Sequence, residues 1–152
     1  MSTPLRRSIR LPCGIDRAFE VFTREVDAWW PPGHRRFENS MLVFETKAGG
    51  RFFERTVAGE EADLGAVQIC EPPRRLVYSW RPGSLTEPTR VDVRFSQDGG
   101  ATLVEITHEE AGAALGELWP DRVRIFDRSW STVLAALAAH IADHPPPARA
   151  IR

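Results

Sequence analysis

Lysine is almost absent from this chain: Lys47 is the only one among 20 basic residues. Schiff-base chemistry needs an amine whose pKa is depressed by burial, and Lys47 stands beside the turn pair Gly49-Gly50, which leaves that chemistry little scope. Cysteine is scarce too. Cys13 and Cys70 form no Cys-x-x-Cys pair and are far apart, which fits two reduced thiols in a reducing compartment better than a disulfide. Charge shows no bias, with 20 basic against 21 acidic residues and a formal net of −1. No global field therefore favours nucleic acid, and Arg6-Arg7 with Arg10 is too short to form a basic arm. Long apolar runs are missing as well. Residues 1–12 carry three arginines and no apolar stretch, so neither a signal peptide nor membrane insertion is expected, and a cytoplasmic location follows.

Motifs for common chemistries are also lacking. His34, His108, His140 and His144 show no HxH or HExxH spacing, and no serine lies in a GxSxG context. Neither GxGxxG nor a Walker loop is present, and Gly49-Gly50 and Gly99-Gly100 read as hairpin turns. No metal and no cofactor are expected, and no residue is assigned a catalytic role. The carboxylates Glu45, Glu54, Glu71, Glu105, Glu109 and Glu110 read mostly as solvated outer-face residues.

What the chain does have is punctuated periodicity. Ile9 and Leu11 before Pro12 suit a first strand over Leu5–Leu11. Apolar residues at Ile15, Ala18, Phe19, Phe22, Val26 and Trp29 predict a helix from Ile15 to Trp30, ended by Pro31-Pro32 and followed by a loop over Gly33–Ser40. Six short strands follow, near Met41–Thr46, Arg51–Val57, Leu64–Cys70, Leu76–Trp80, Thr89–Ser96 and Thr102–Glu109. They are separated by Gly49-Gly50, Gly59-Glu60-Glu61, Pro72-Pro73, Pro82-Gly83 and Asp98-Gly99-Gly100. Links this short predict antiparallel neighbours. The alternation of Val91, Val93 and Phe95 with Asp92 and Arg94 predicts one covered face and one wet face.

The cover is a last helix from about Pro120 to Ala142. Its stripe is Trp119, Val123, Phe126, Trp130, Val133, Leu134, Leu137 and Ile141, with Asp121, Arg122, Arg128 and Asp143 placed away from it. One α+β domain over residues 1–143 is expected, with a proline-rich flexible tail over 144–152. Leu76, Tyr78 and Trp80 alternate onto one face, and so do Thr102, Val104, Ile106 and His108. His108 then ends its strand near the rim of the core. It is there either as a general base or ligand-orienting group, or as a hydrogen-bonded structural histidine, and the structural role is favoured.

The order strand, helix, run of strands, long helix resembles the START-like helix-grip superfamily. Within it, the chain resembles the activator-of-heat-shock-protein-90-ATPase family. The resemblance spans nearly the whole chain through Ala18-Phe19, Trp29-Trp30-Pro31, Gly49-Gly50-Arg51-Phe52, Gly65-Ala66-Val67, Glu71-Pro72-Pro73-Arg74-Arg75-Leu76, Tyr78-Ser79-Trp80, Thr102 with Ile106-Thr107-His108, and Trp130 before Leu134 and Leu137. It implies a curved antiparallel sheet of six or seven strands around a long C-terminal helix, with a short helical segment after the first strand. It also implies a cavity between sheet and helix for a small hydrophobic or amphipathic molecule. A cyclase- or hydrolase-like enzyme using the same cavity, or a protein-interaction module, are the alternative readings.

By alternation alone, the rings of Phe44, Phe53, Tyr78, Trp80, Phe95, Phe126 and Trp130 either fill a core or line a cavity. The resemblance favours a cavity wall, with His108, Tyr78 and Arg55 orienting the ligand. Trp29 and Trp30 are expected to divide, one into the core and one exposed, where it would gate the mouth or form a homodimer contact. Where the family usually has a glycine before the last-helix tryptophan, this chain has Ser129, which offers the cavity a hydroxyl. The founding co-chaperones carry a separate chaperone-binding domain for which this chain has no room, so a chaperone partner is not expected.

Overall fold

The computed structural model describes residues 4–80, 89–110 and 119–144, and the side chains of all of these except 119–121. The expected turn at Pro82-Gly83, the side chains of Trp119 and Asp121, and the tail from Pro145 onward lie outside the described residues. Strands β1 (Leu5–Leu11), β2 (Ser40–Phe44), β3 (Arg51–Thr56), β4 (Glu61–Glu71), β5 (Arg75–Trp80), β6 (Thr89–Asp98) and β7 (Ala101–Glu110) form one sheet in the order β1-β7-β6-β5-β4-β3-β2. Every neighbouring pair is antiparallel. Between β1 and β2 come α1 (Ile15–Thr23), α2 (Val26–Trp29) and a 3-10 turn (Pro32–His34), and the long helix α3 (Trp119–Asp143) closes the order.

The sheet is a half-barrel because an inner strand, β4, bends. In β4 the register slips twice: Phe52 and Phe53 of β3 face Gly65 and Asp63, and Tyr78 and Val77 of β5 face Val67 and Ile69. Leu64 and Gln68 are thus surplus residues on β4, and such bulges increase local twist and fold a sheet toward one face. Gly65 sits between them against β5, where an added Cβ would overlap the Ser79 carbonyl oxygen. That approach lets the Ser79 hydroxyl meet the Ala66 amide at 2.9 Å.

The expected single helix over Ile15–Trp30 is in fact two. At the break the Glu25 amide bonds the Glu20 carbonyl at 3.2 Å rather than continuing the i to i−4 ladder, so the Val21 carbonyl needs another donor. The Trp29 indole supplies it at 2.7 Å from a buried position. Trp30 is also buried, at 5 % exposure, and its indole donates to the His34 carbonyl at 3.2 Å. The expected exposed tryptophan is therefore absent: both indoles have backbone acceptors inside the fold.

The inner face carries one continuous core. It includes Phe44, Phe52, Leu76, Tyr78, Val93, Phe95, Val104 and Ile106 from the sheet, Phe22 from α1, and Val133, Leu134, Leu137 and Ile141 from α3. Arg7 of β1 ties α3 down from outside through Asp127 at 3.0 Å and the Ser131 hydroxyl at 2.6 Å. The outer face of the sheet is laced with ion pairs, among them Arg75–Asp92 at 2.9 Å and Arg51–Asp63 at 2.7 Å. Burial works to raise the Asp92 carboxyl, but hydrogen bonds from Arg75 and Arg94 outweigh it and hold the group below the usual carboxylate range.

Candidate functional site

A cavity of about 340 Å³ lies between the N-terminal half of α3 and the inner face of the sheet. Its wall is mostly aromatic: Trp30, Tyr78, Trp80, Phe126 and Trp130, joined by His34, His108, Arg122, Ile125, Ser129 and Val133. On α3 the wall residues Arg122, Phe126, Ser129, Trp130 and Val133 recur at helical spacing, so one helix face forms the roof. From β5, Tyr78 and Trp80 rise from alternate positions to form the floor.

Six of the ten residues expected around a ligand line this cavity, namely Trp30, Tyr78, Trp80, His108, Phe126 and Trp130. Phe44 and Phe95 stand behind the wall in the filled core. Phe44 stacks on Phe52 with centroids 3.8 Å apart, and Phe95 meets Phe19 edge-on at 5.2 Å. Phe53 and Arg55 are on the opposite face of the sheet. The guanidinium of Arg51 covers the Phe53 ring at 4.0 Å, and Arg55 bonds Glu61 at 2.7 Å.

The inversion of β3 has a chemical cause. Phe52 and Glu54, not Phe53 and Arg55, point inward, and the Glu54 carboxylate is fully buried rather than solvated. It accepts the amides of Arg36 at 2.9 Å and Phe37 at 2.6 Å and the Ser40 hydroxyl at 2.9 Å. Three donors replace its hydration, which makes an inward carboxylate tolerable. The same segment is held by Arg35, which bonds Asp27 and the carbonyls of Trp30 and Ser40. Glu54 and Arg35 thereby set the position of Trp30 and His34 at the cavity.

His108 is the centre of a polar relay that crosses the fold. The Trp130 indole donates to His108 Nδ1 at 3.1 Å, and His108 Nε2 lies 2.7 Å from the Thr89 hydroxyl. The Thr89 hydroxyl donates in turn to the Trp80 carbonyl at 2.7 Å. Only one tautomer satisfies all three contacts: Nδ1 bears the lone pair and Nε2 the proton. Burial pushes the imidazole down to about 3, so it is neutral throughout the physiological range. The indole thus engages its lone pair, the Thr89 hydroxyl its other nitrogen, and the Phe126 ring stacks on it at 4.3 Å.

Tyr78 differs from it. The residue is 1 % exposed and borders the cavity, yet its hydroxyl has no hydrogen-bond partner among the described residues. Burial raises its pKa well above the usual phenol value, so it stays a protonated donor.

Reading the chain alone misses His34, Arg122 and Ile125. His34 has no periodic signal, since it ends a three-residue 3-10 turn rather than lying on a strand or long helix. Arg122 has one: it stands four and eight residues before Phe126 and Trp130, the spacing of one helix face, although its charge suggests solvent. Among the described residues, no three His, Cys, Asp or Glu side chains group as a metal site, and both cysteines are unpaired.

Comparison with known proteins gives a consistent picture. The family model described as Activator of Hsp90 ATPase homolog 1-like protein matches residues 12–142. No curated protein matches by sequence. Among solved structures, CalU16 from Micromonospora echinospora is similar at a TM-score of 0.66 and 22% identity, over 93% of this chain and 76% of its own. The anthrahydroquino-gamma-pyrone synthase Txn09, solved with a molecule designated SUM, is similar at 0.60 and 27%, over 91% of this chain and 96% of its own. DynU16, from the dynemicin biosynthetic locus, is similar at 0.70 and 19%, over 99% of this chain but only 51% of its own. The antiparallel sheet wrapped on a C-terminal helix is shared by these folds, and with its model matched across residues 12–142 the chain belongs to the Activator of Hsp90 ATPase homolog 1-like family.

Proposed function

We propose that this protein binds a small, largely apolar molecule in the cavity beneath α3, with the ligand's body among the indole and phenyl rings and one polar group on Tyr78. The observation that carries this reading is the unpartnered Tyr78 hydroxyl at the wall of a void of about 340 Å³. A void of that size is within the usual range for small-molecule sites. A hydroxyl that opens onto an apolar void with no protein acceptor can donate to a ligand acceptor, and in so apolar a setting that bond is worth more than in bulk water. The two unpaired cysteines fit a cytoplasmic setting.

A second reading, ring-closing catalysis, is supported by the 27% identity to the synthase Txn09. The wall chemistry favours binding. A ring closure that needs a proton taken from carbon needs a base, and His108 has its lone pair engaged while Tyr78 is held protonated.

Isothermal titration calorimetry with the neutral two-ring probe naphthalene-2-carboxamide tests the binding reading. Saturable one-to-one binding to the wild type, lost on filling the roof with Ser129→Trp, is the expected result. No binding to the wild type, or equal binding to the filled variant, overturns it.

A further inference from the structure

The cavity has a sign. Of the described side chains that line it, none is a carboxylate, and Arg122 is the one with a permanent charge. Arg122 is partly buried and has no ion pair or hydrogen bond to a described residue, whereas Arg7, Arg10, Arg17, Arg35, Arg75 and Arg90 each hold a carboxylate. A guanidinium without a carboxylate partner at the edge of an apolar void attracts an anion more strongly than one in open water, because the low-dielectric wall screens it less. Among the described residues of the wall no acidic group offsets that charge.

We infer that the cavity selects anionic aromatic molecules: a flat ring system between the indoles, a hydroxyl or carbonyl on Tyr78, and a carboxylate or similarly acidic group on the Arg122 guanidinium. The inference rests on the binding reading above and adds the charge of the ligand to it. Arg122 and Tyr78 are on opposite walls, on α3 and β5 respectively. A molecule with an acidic group at one end and a neutral polar group elsewhere would therefore be held across the void in one orientation. A forked guanidinium suits a planar carboxylate in particular, since two parallel N–H donors meet its two oxygens.

The test compares 2-naphthoate with naphthalene-2-carboxamide, which share shape and differ in charge, by calorimetry at low and high salt. The wild type is expected to bind the carboxylate about tenfold more tightly than the amide at low salt. Added sodium chloride should reduce the carboxylate's advantage and leave the amide unmoved. In Arg122→Gln the two probes should fall within about twofold of each other, and Arg122→Lys should restore part of the gap. Equal affinity of the two probes for the wild type, or an undiminished gap in Arg122→Gln, overturns the charge selection while leaving the binding reading standing. If neither probe binds, the binding reading itself fails.

Discussion

At the scale of single residues, the fold turns polar side chains inward and then differs in whether protein groups answer them. His108 is answered on both nitrogens, by Trp130 and Thr89. Its pKa is about 3 in the folded protein against 6.5 when free, so between those values the unfolded chain binds a proton that the native state refuses. Stability contributed by the neutral imidazole is complete above about pH 6.5 and is lost as pH falls toward 3. Urea unfolding followed from pH 7.5 to pH 5 should show stability falling with acidity, at up to about 1.4 kcal/mol per pH unit below the free-imidazole pKa. His108→Gln should flatten that slope, whatever it does to the absolute stability. A slope unchanged in the variant would place the acid sensitivity elsewhere. Tyr78 is the counterpart: its hydroxyl borders the cavity with no acceptor among the described residues.

At the scale of elements, β4 governs the shape of the cavity. Its two surplus residues, Leu64 and Gln68, bend the sheet, and Gly65 between them admits the Ser79 carbonyl where no side chain fits. Gly65→Ala should therefore destabilise the protein by about 2 kcal/mol or more, although it would be mild on an ordinary strand. Thermal and urea denaturation measure this, and a loss below about 0.5 kcal/mol would show that β4 can shift to make room. The strands themselves were legible because hairpin turns punctuate them, and Thr102, Val104, Ile106 and His108 do share the buried face. The bulges were not legible, since a surplus residue leaves no mark on composition. Nor was the break between α1 and α2, because the apolar spacing of Phe22, Val26 and Trp29 continues through it.

The same limit explains the inverted face of β3. In Arg51-Phe52-Phe53-Glu54-Arg55 either phenylalanine could face inward, and placing Phe52 there requires an inward glutamate that local patterning rejects. The amides of Arg36 and Phe37 and the Ser40 hydroxyl, supplied by tertiary structure, make it acceptable. Arg122 was hidden for a related reason: its helical phase was legible, but its charge argued for solvent.

For the molecule as a whole, charge is balanced and distributed. Basic and acidic residues nearly cancel, and exposed pairs such as Arg10–Asp98 and Arg55–Glu61 tile the surface. Pairs of this kind are screened by salt and add little each, while a chain of nearly zero net charge has no self-repulsion for salt to relieve. Raising sodium chloride from low to moderate concentration should leave the thermal unfolding midpoint essentially in place. A large fall in the midpoint would mean that the surface network contributes more than its exposure implies. No helix of the described residues is long and apolar enough to cross a membrane.

The aromatic wall also gives the protein an intrinsic optical reporter. Three of its five tryptophans, Trp30, Trp80 and Trp130, face one void, and Trp130 is further tuned by its bond to His108. Any occupant that stacks on these indoles or transfers a proton near them will alter their emission together. Filling of the cavity can thus be followed by native fluorescence in the unlabelled protein, and candidate molecules can be ranked by quenching before their chemistry is known.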